Sequence, residues 1–120
     1  MRIAVLADDL TGAADTGVQL VRAGYRTAVI FRDEPIPEGF DAVVIDTDTR
    51  IKRARQAVKR VYDAARKVRG VEIIYKKLDS TLRGSIAAEI SVTLEATHLD
   101  RAIVAPAFPG AGRTTVNGVQ

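Results

Sequence analysis

Short apolar runs separated by amphipathic stretches limit the fold of this chain more than any other feature of its sequence. Runs of four or five aliphatic and β-branched residues predict five strands: Ile3–Ala7, Thr27–Phe31, Ala42–Ile45, Val71–Tyr75 and Ala102–Ala105. Longer stretches between them predict three helices: Gly12–Ala23, Ile51–Val68 and Ser85–Ala96. The order β-α-β-β-α-β-α-β predicts an α/β fold: a three-layer sandwich around a mainly parallel sheet, Rossmann-like, with the first strand central.

Capping residues and glycines predict where the helices begin and end. Thr11 is the expected N-cap of the first helix, and Gly24 is its expected stop. A Thr or Asp of the segment Asp46–Arg50 is the expected cap of the second helix, which Gly70 should end.

The second predicted helix carries most of the positive charge in a chain whose net charge is +3. Its Lys and Arg residues fall mostly between apolar positions at helical spacing, which is typical of a solvated face whose long stems cover apolar surface. A nucleic-acid patch is the alternative. No aromatic ladder or nucleic-acid motif accompanies the charge, so the sequence favours the solvated face.

Several classes of site are disfavoured by what the sequence lacks. The chain has 120 residues, as one domain requires, and no Cys, so it has no disulfide or thiolate site. Its single His, His98, lies near a predicted helix end and is expected to be structural, so we expect no metal site. There is neither a Gly-x-x-x-x-Gly-Lys-Ser/Thr loop nor a Gly-x-Gly-x-x-Gly motif. The N-terminus does not resemble a signal peptide and no run reaches ~20 apolar residues, so a cytoplasmic protein without a membrane span is expected.

Polar clusters follow four of the predicted strands. They are Asp8-Asp9, Asp46–Arg50, Lys76–Gly84 and Phe108–Asn117. Because ligands of open α/β sheets bind beyond the carboxyl ends of the strands, the four clusters should converge on one cleft. In particular, Asp8, Asp48, Asp79 and Arg83 should surround that cleft.

The first two clusters each allow two interpretations. Asp8 and Asp9 can accept hydrogen bonds from substrate hydroxyls, act as a base or ligate Mg²⁺; alternatively, Asp8 caps the following helix and Asp9 is solvated. Arg50 stands at the positive end of a predicted helix, where a cation is unfavourable. Either an anionic ligand or an acidic neighbour would offset that cost.

The last two clusters are equally open. Lys77 and Arg83 can hold a carboxylate, and Asp79 can orient a hydroxyl; alternatively, these charges pair with one another inside the loop. The glycine-rich segment 110–118 is either a ligand-facing loop or a linker.

Four motifs together resemble the four-carbon acid sugar kinase family, in order and over essentially the whole chain. They are Ala7-Asp8-Asp9-Leu10-Thr11-Gly12-Ala13-Ala14-Asp15, Asp46-Thr47-Asp48-Thr49-Arg50, Lys76-Lys77-Leu78-Asp79-Ser80-Thr81-Leu82-Arg83-Gly84, and Ala105–Pro109 with Gly112–Gly118. The resemblance implies an ATP-dependent kinase acting on the terminal hydroxyl of acids such as threonate, erythronate or 3-oxo-tetronate. It implies that residues 1–120 form the N-terminal part of the sugar-acid-binding domain.

The resemblance also implies partners, cofactors and residue roles. ATP with Mg²⁺ would be bound mainly by a C-terminal nucleotide-binding domain that this chain lacks, so the chain alone should be inactive. A homodimer is compatible with it. The expected substrate-binding residues are Asp8, Asp9, Thr11, Asp48, Arg50, Lys77, Asp79, Ser80, Arg83 and Gly84. Among these, Arg83, helped by Lys77 or Arg50, is expected to bind the carboxylate, and Asp9 is the expected general base.

Three further residues are expected to face the phosphate or the domain interface: Arg113, Thr114 and Asn117.

Two other classes of function remain as alternatives. One is a stand-alone, non-catalytic sugar-acid or anion-binding module that uses the same cleft. The other is a nucleic-acid binder, which strongly salt-dependent binding to random DNA would indicate.

Overall fold

A computed structural model describes all 120 residues, Met1–Gln120, and confirms the predicted α/β class. The strands are β1 (Ile3–Ala7), β2 (Thr27–Phe31), β3 (Ala42–Asp46) and β4 (Ile73–Lys77). The helices are α1 (Leu10–Arg22), α2 (Ala54–Lys67) and α3 (Ile86–Thr97), followed by one 3-10 turn at Pro109–Ala111. No helix is both long enough and apolar enough to cross a membrane.

The four strands form one parallel sheet in the order β2-β3-β1-β4, so β1 is an inner strand as predicted. In the pairing of β1 with both neighbours, Ala7 lies opposite Asp46 on one side and Lys77 on the other. The register therefore brings the carboxyl ends of β1, β3 and β4 to the same level. The segments that follow these strands begin side by side.

Helices cover both faces of the sheet, and two apolar clusters form the core. Alternate strand residues point to opposite faces. On one face, residues of β1 and β3 pack with α2 and α3; the buried members are Ala4, Leu6, Val43, Ile45, Val61, Ala64, Ala65, Val68, Val92 and Ala96. On the other face they pack with α1; the buried members are Ile3, Val5, Ala7, Ala13, Ala42 and Val44.

The predicted fifth strand, Ala102–Ala105, is wrong. This segment has no regular structure, and the side chains of Ile103 and Val104 are exposed to 96% and 57%. An apolar strand is stable where its side chains are covered, and nothing in the described chain covers these. The outer edge of β4 consequently has no strand partner.

Three local predictions also need correction. The N-cap of α1 is Asp9, not Thr11, because the Asp9 carboxylate accepts the hydrogen bond from the Gly12 amide. Helix α2 begins three residues later than predicted, at Ala54, and its N-cap Arg53 makes no side-chain capping bond. Ile51, predicted to begin the apolar face of that helix, is 84% exposed.

Gly17 allows α1 to approach the sheet closely, and replacing it is expected to destabilise the fold. A Cβ at this position would lie 2.8 Å from Val29 Cγ2 on β2, closer than side-chain carbons pack. We expect Gly17→Val to lower the free energy of unfolding by about 1–3 kcal/mol, the range for overpacked sites. Ala14→Val on the exposed face of α1 is the matched control and should cost about 0.5 kcal/mol. Urea titrations of both variants measure the difference; equal losses would contradict the prediction.

Candidate functional site

The carboxyl ends of β1 and β3 are adjacent, and the helices that follow them lie on opposite faces of the sheet. Chain segments that part in this way leave a crevice between them, where open α/β sheets bind ligands. Asp8 and Asp9 follow β1, and Arg50 lies in the segment after β3.

Arg50 binds the two adjacent carboxylates of Asp8 and Asp9. Its Nε and Nη2 atoms donate to the two oxygens of Asp8 at 2.9 and 3.0 Å. Its Nη1 and Nη2 atoms donate to the two oxygens of Asp9 at 2.6 and 2.8 Å. The hydrogen bonds to Asp8 raise the pKa of the Arg50 guanidinium above its usual value. Of the two alternatives that the sequence left open for Arg50, the structure shows the acidic neighbour.

Asp9 also fixes the start of α1. Its Oδ1 atom accepts from the Gly12 amide at 2.9 Å, and a Cβ at Gly12 would lie 2.7 Å from that oxygen. Asp9 is therefore the capping residue of the pair, and Asp8 is the buried one, at 3% exposure. The sequence alternative that made Asp8 the cap is wrong.

Asp79 and Arg83 pair with each other in the segment after β4. Arg83 Nε and Nη2 donate to the Asp79 carboxylate at 2.6 and 3.1 Å, and Thr81 Oγ1 donates to it at 2.5 Å. The hydrogen bonds from Arg83 hold the pKa of the Asp79 carboxyl far below its usual range. Asp79 is accordingly a permanent acceptor rather than a base, and the Nε–Nη2 edge of the Arg83 guanidinium is occupied. A role of Arg83 in carboxylate binding stays a prediction.

Asp48 points away from this crevice and toward α2. Its carboxylate accepts from Arg60 Nη1 at 2.6 Å and lies 3.2 Å from Lys52 Nζ. The hydrogen bond from Arg60 lowers the pKa of the Asp48 carboxyl. The backbone φ of Asp48 is 47°, and this left-handed conformation turns the chain toward α2. Its substrate-binding role also stays a prediction.

A large cleft of about 1270 Å³ opens between α1, β4 and the segment around residues 101–108. Its polar lining includes Asp9, Thr11, Gly12, Arg50, Lys77, Asp79, Ser80 and Arg113. Its apolar lining includes Tyr75, Leu94, Leu99 and Ile103. The polar clusters after β1, β3 and β4 therefore contribute to one cleft, although Asp8 is buried beneath it and neither Asp48 nor Arg83 lines it.

Two cations of the lining, near the segment after β4, have no carboxylate partner. Lys77 Nζ donates to the Leu78 carbonyl at 2.7 Å and lies 3.5 Å from where a Cβ of Gly12 would be. Arg113 Nη1 donates to Ser80 Oγ at 2.7 Å. Neither forms an ion pair, unlike Arg50 and Arg83. Arg22 and Arg101 also line the cleft without an ion pair, but among these four cations only Lys77 is partly buried.

Comparisons with known proteins show the family of this chain. The model of the family described as "Sugar-binding N-terminal domain" matches residues 3–120. This chain belongs to that family. It is 42% identical to a D-threonate kinase from Salmonella typhimurium, over 98% of the chain and 29% of that enzyme. It is also 42% identical to a D-erythronate kinase from Heliobacterium modesticaldum, over 97% of the chain and 28% of that enzyme.

The sugar-binding domain also has a solved relative. A domain of unknown function from Bordetella bronchiseptica, crystallised with bound citrate as a domain-swapped dimer, is 36% identical with a TM-score of 0.71. The match covers 80% of this chain and 26% of that one. The chain thus spans less than a third of the length of the relatives it matches.

The segment that contains Arg113 and Gln120 folds back on the segment after β4. Gln120 Nε2 donates to the Ser80 carbonyl at 3.0 Å, next to the Arg113 contact with the same residue. Asn117 adopts a left-handed φ of 50° in an exposed turn, and Thr114 is exposed as well. Of the three residues predicted to face phosphate, the structure places Arg113 at the cleft, and Thr114 and Asn117 outside its lining. His98 is the exposed C-cap of α3, also with left-handed φ.

Two carboxylates of the cleft lining, those of Asp9 and Asp79, are bound by Arg50 and Arg83. No three His, Asp or Glu side chains converge on a potential metal position. The sequence has no glycine-rich loop of the phosphate-binding type.

Asp46, the last residue of β3, is a buried carboxylate that we did not single out from the sequence. It is 6% exposed, and its Oδ1 atom accepts from the Asp48 amide at 2.9 Å. Burial and the nearby carboxylates of Asp48, Asp9 and Asp8 raise its pKa, and no cation pairs with it. Its position at a strand end among other acidic residues was the available signal.

The raised pKa of Asp46 predicts that Asp46→Asn stabilises the domain at neutral pH. A carboxyl whose pKa is higher in the folded state contributes stability below its unfolded pKa and loses it as pH rises. Asn keeps the hydrogen bond from the Asp48 amide without the charge. We expect the melting temperature to rise by roughly 2–4 °C at pH 7 and to match the wild type below about pH 4.

Asp41→Asn is the matched control, because the pKa of Asp41 is lowered in the folded state whereas that of Asp46 is raised. Hydrogen bonds from Arg26 lower the pKa of Asp41 to about 2. Its stabilising contribution is present above about pH 3.9, the unfolded pKa, and is lost as pH falls from there through the folded pKa of about 2. Asp41→Asn should therefore lower the melting temperature at pH 7. Shifts of the same sign in both variants would contradict the assignment.

Proposed function

We propose that this domain binds a four-carbon sugar acid within an ATP-dependent kinase that phosphorylates the terminal hydroxyl of that acid. The cleft carries this proposal: its lining combines cations without an ion pair, Lys77 and Arg113 among them, with the carboxylates of Asp9 and Asp79, which Arg50 and Arg83 hold in place. A sugar acid has the complementary groups, which are one carboxylate and several hydroxyls. Curated relatives that act as D-threonate, D-erythronate and 3-oxo-tetronate kinases support this substrate class.

Different residues are proposed to bind different groups of the substrate. Lys77 is the proposed partner of the substrate carboxylate, because it is a partly buried cation without a counter-ion. Thr11 and Ser80 offer hydroxyls at the rim, and Gly84 keeps the loop after β4 close to Arg50. Arg113 is the proposed contact with the incoming phosphate, at the mouth where Ser80 lies.

Asp9 orients the reacting hydroxyl in this proposal. Its two oxygens already accept three hydrogen bonds, and a carboxylate offers about four acceptor sites, so one remains for a substrate hydroxyl. Phosphoryl transfer depends mainly on positioning and charge stabilisation. An orienting acceptor is therefore sufficient, and Asp9 need not remove the proton in the transition state.

MgATP is proposed to be held by a C-terminal nucleotide-binding domain, which closes over this cleft in the cytoplasmic enzyme. The supporting observation is that the chain matches only 28% to 30% of the length of these kinases and has no nucleotide motif of its own. A homodimer is part of the proposal, supported by the dimeric relative from Bordetella bronchiseptica.

ADP release by the product of the complete gene tests the proposal. D-threonate, D-erythronate and 3-oxo-tetronate serve as substrates, and the 120-residue chain is assayed beside it. We expect turnover of at least one acid by the gene product and none by the 120-residue chain. Calorimetric binding of a sugar acid without any phosphorylation by the gene product would instead support a non-catalytic sugar-acid sensor.

A further inference from the structure

We infer that Arg50 is a positioning residue, which fixes the Asp8-Asp9 pair and the loops around it, rather than a contact to the substrate. This inference rests on the proposed function, because the substrate that it concerns is the sugar acid. It assigns to Arg50 a different role from the carboxylate binding that its charge suggests.

The hydrogen bonds of Arg50 leave no fork for a ligand. A guanidinium has five N–H donors. Four of them are used: Nε and one Nη2 hydrogen bind Asp8, and the other Nη2 hydrogen and one Nη1 hydrogen bind Asp9. Bidentate recognition of a carboxylate requires two parallel N–H groups, and only one is left. Arg50 could grip a substrate only by releasing an aspartate.

Releasing an aspartate is unfavourable because of where the charges lie. The side chain of Asp8 is 4% exposed and that of Arg50 18% exposed. A buried carboxylate that loses its only cation is strongly destabilising. The neighbouring carboxylate of Asp9 would add repulsion, because Arg50 is the only cation bound to either.

Arg50 also joins three strand-end segments through its backbone. The amides of Thr49 and Arg50 donate to the Asp8 carbonyl at 2.9 and 3.1 Å. A Cβ at Gly84, after β4, would lie 3.5 Å from the Arg50 carbonyl oxygen, so that segment packs directly on it. The φ of Gly84 is 101°, a conformation that favours glycine. One residue thus contacts the segments after β1 and β4 from its own position after β3.

The functional consequence concerns the direction of Asp9. Arg50 binds both oxygens of Asp9, and the Gly12 amide binds one of them, so the remaining acceptor site has a fixed direction. Without the guanidinium, Asp9 keeps only the capping bond and can rotate. The sugar acid would still bind through Lys77, but its hydroxyl would no longer be aligned.

A double-mutant cycle between Arg50 and Asp9 in the product of the complete gene tests the inference. The variants are Arg50→Lys, Asp9→Asn and their combination. For comparison, a second cycle combines Arg50→Lys with Lys77→Met. We expect Arg50→Lys to lower kcat roughly 100-fold, the loss typical of a misplaced reacting group, and to change KM less than about threefold. The combined Arg50 and Asp9 variant should be no worse than the worse single variant, whereas the losses of Arg50→Lys and Lys77→Met should multiply.

Two results would overturn the inference. One is a rise in KM of tenfold or more in Arg50→Lys with kcat unchanged, which a substrate contact predicts. The other is multiplication of the Arg50 and Asp9 losses. If Arg50→Lys does not fold, the double variant Arg50→Gln with Asp8→Asn is used instead. This double variant removes the buried charge of Asp8 together with the guanidinium.

A stability readout separates this inference from the proposed function. If the wild-type gene product phosphorylates no sugar acid, the proposed function fails, and the cycle is measured by urea unfolding instead. We then expect Arg50→Gln and Asp9→Asn to be coupled by roughly tenfold in the unfolding equilibrium constant. Additive effects on unfolding would overturn the positioning role independently of any activity.

Discussion

Glu89→Ala is expected to lower the free energy of unfolding by about 3–5 kcal/mol, the cost of leaving one partner of a buried ion pair alone. Glu89 lies in the first turn of α3, and its side chain is 2% exposed. The Lys76 ammonium group on β4 is 2.8 Å from its Oε2 atom and is itself only 9% exposed. Removing the carboxylate would leave a cation between the helix and the sheet with no counter-charge.

The geometry of this pair increases the expected loss. Glu89 Oε2 accepts no hydrogen bond of regular geometry, so the ion pair with the Lys76 ammonium group is the polar contact that this atom makes. The other contacts of Lys76 Nζ are long, at 3.4 Å to the Leu6 carbonyl and 3.5 Å to the Lys77 carbonyl. Neither can substitute for the carboxylate.

Two further variants make the Glu89 prediction specific. Asp63→Ala breaks an exposed pair with Lys59 on α2, whose side chains are 51% and 79% exposed, and should cost less than about 1 kcal/mol. The double variant Lys76→Met with Glu89→Leu removes both charges and should recover most of the loss, since apolar replacements of buried pairs are often neutral. Chemical denaturation measures all three. A Glu89→Ala variant as stable as Asp63→Ala would show that the pair is not essential.

The sequence predicted the position of the candidate site better than its contacts. Four of the five strands predicted from short apolar runs are present, and a parallel sheet aligns the residues that end them, so Asp9 and Lys77 could be placed at one edge. The direction of a side chain within that edge depends on a partner distant in the chain. Arg50 meets Asp8 across 42 positions, and no local pattern marks that pairing.

The wrongly predicted fifth strand has a similar explanation. Ala102–Ala105 has the composition of a strand, but a strand also needs a neighbour and a covering layer, which are tertiary properties. The bounds of β4 show the same limit. It ends at Lys77 rather than Tyr75, and Lys76 occupies a core-facing position because Glu89 neutralises it there. A lysine reads locally as the end of a strand, and only the distant partner reveals that the strand continues.

The cation that binds the substrate carboxylate can be identified by comparing Lys77→Met with Arg83→Met. Hydrogen bonds to charged groups contribute about 1.5–3 kcal/mol, so Lys77→Met should weaken sugar-acid binding by roughly 10- to 150-fold. Met keeps the length of the side chain and removes only the charge and the donors. Because Lys77 makes no ion pair in the folded domain, the melting temperature of the Lys77→Met variant should hardly differ from that of the wild type.

Arg83→Met should give the opposite result in the same experiments. Arg83 already donates to both oxygens of Asp79, and its side chain is 65% exposed outside the cleft lining. We expect its loss to change sugar-acid affinity less than about threefold, a difference below 1 kcal/mol. Its melting temperature should fall, and this fall should shrink on acidification, because the depressed pKa of Asp79 makes the pair stabilising above its unfolded pKa and less so as pH decreases.

Isothermal titration calorimetry with D-threonate and D-erythronate, together with thermal melts, shows which of Lys77 and Arg83 binds the carboxylate and which one stabilises the fold. The decisive outcome is the affinity ratio of the two variants. If Arg83→Met loses affinity tenfold or more while Lys77→Met does not, the carboxylate contact belongs to the arginine, whose Nη1 atom makes no contact with Asp79. The opposite ratio assigns that contact to Lys77, the cation that the folded domain leaves without a counter-ion beside the first turn of α1.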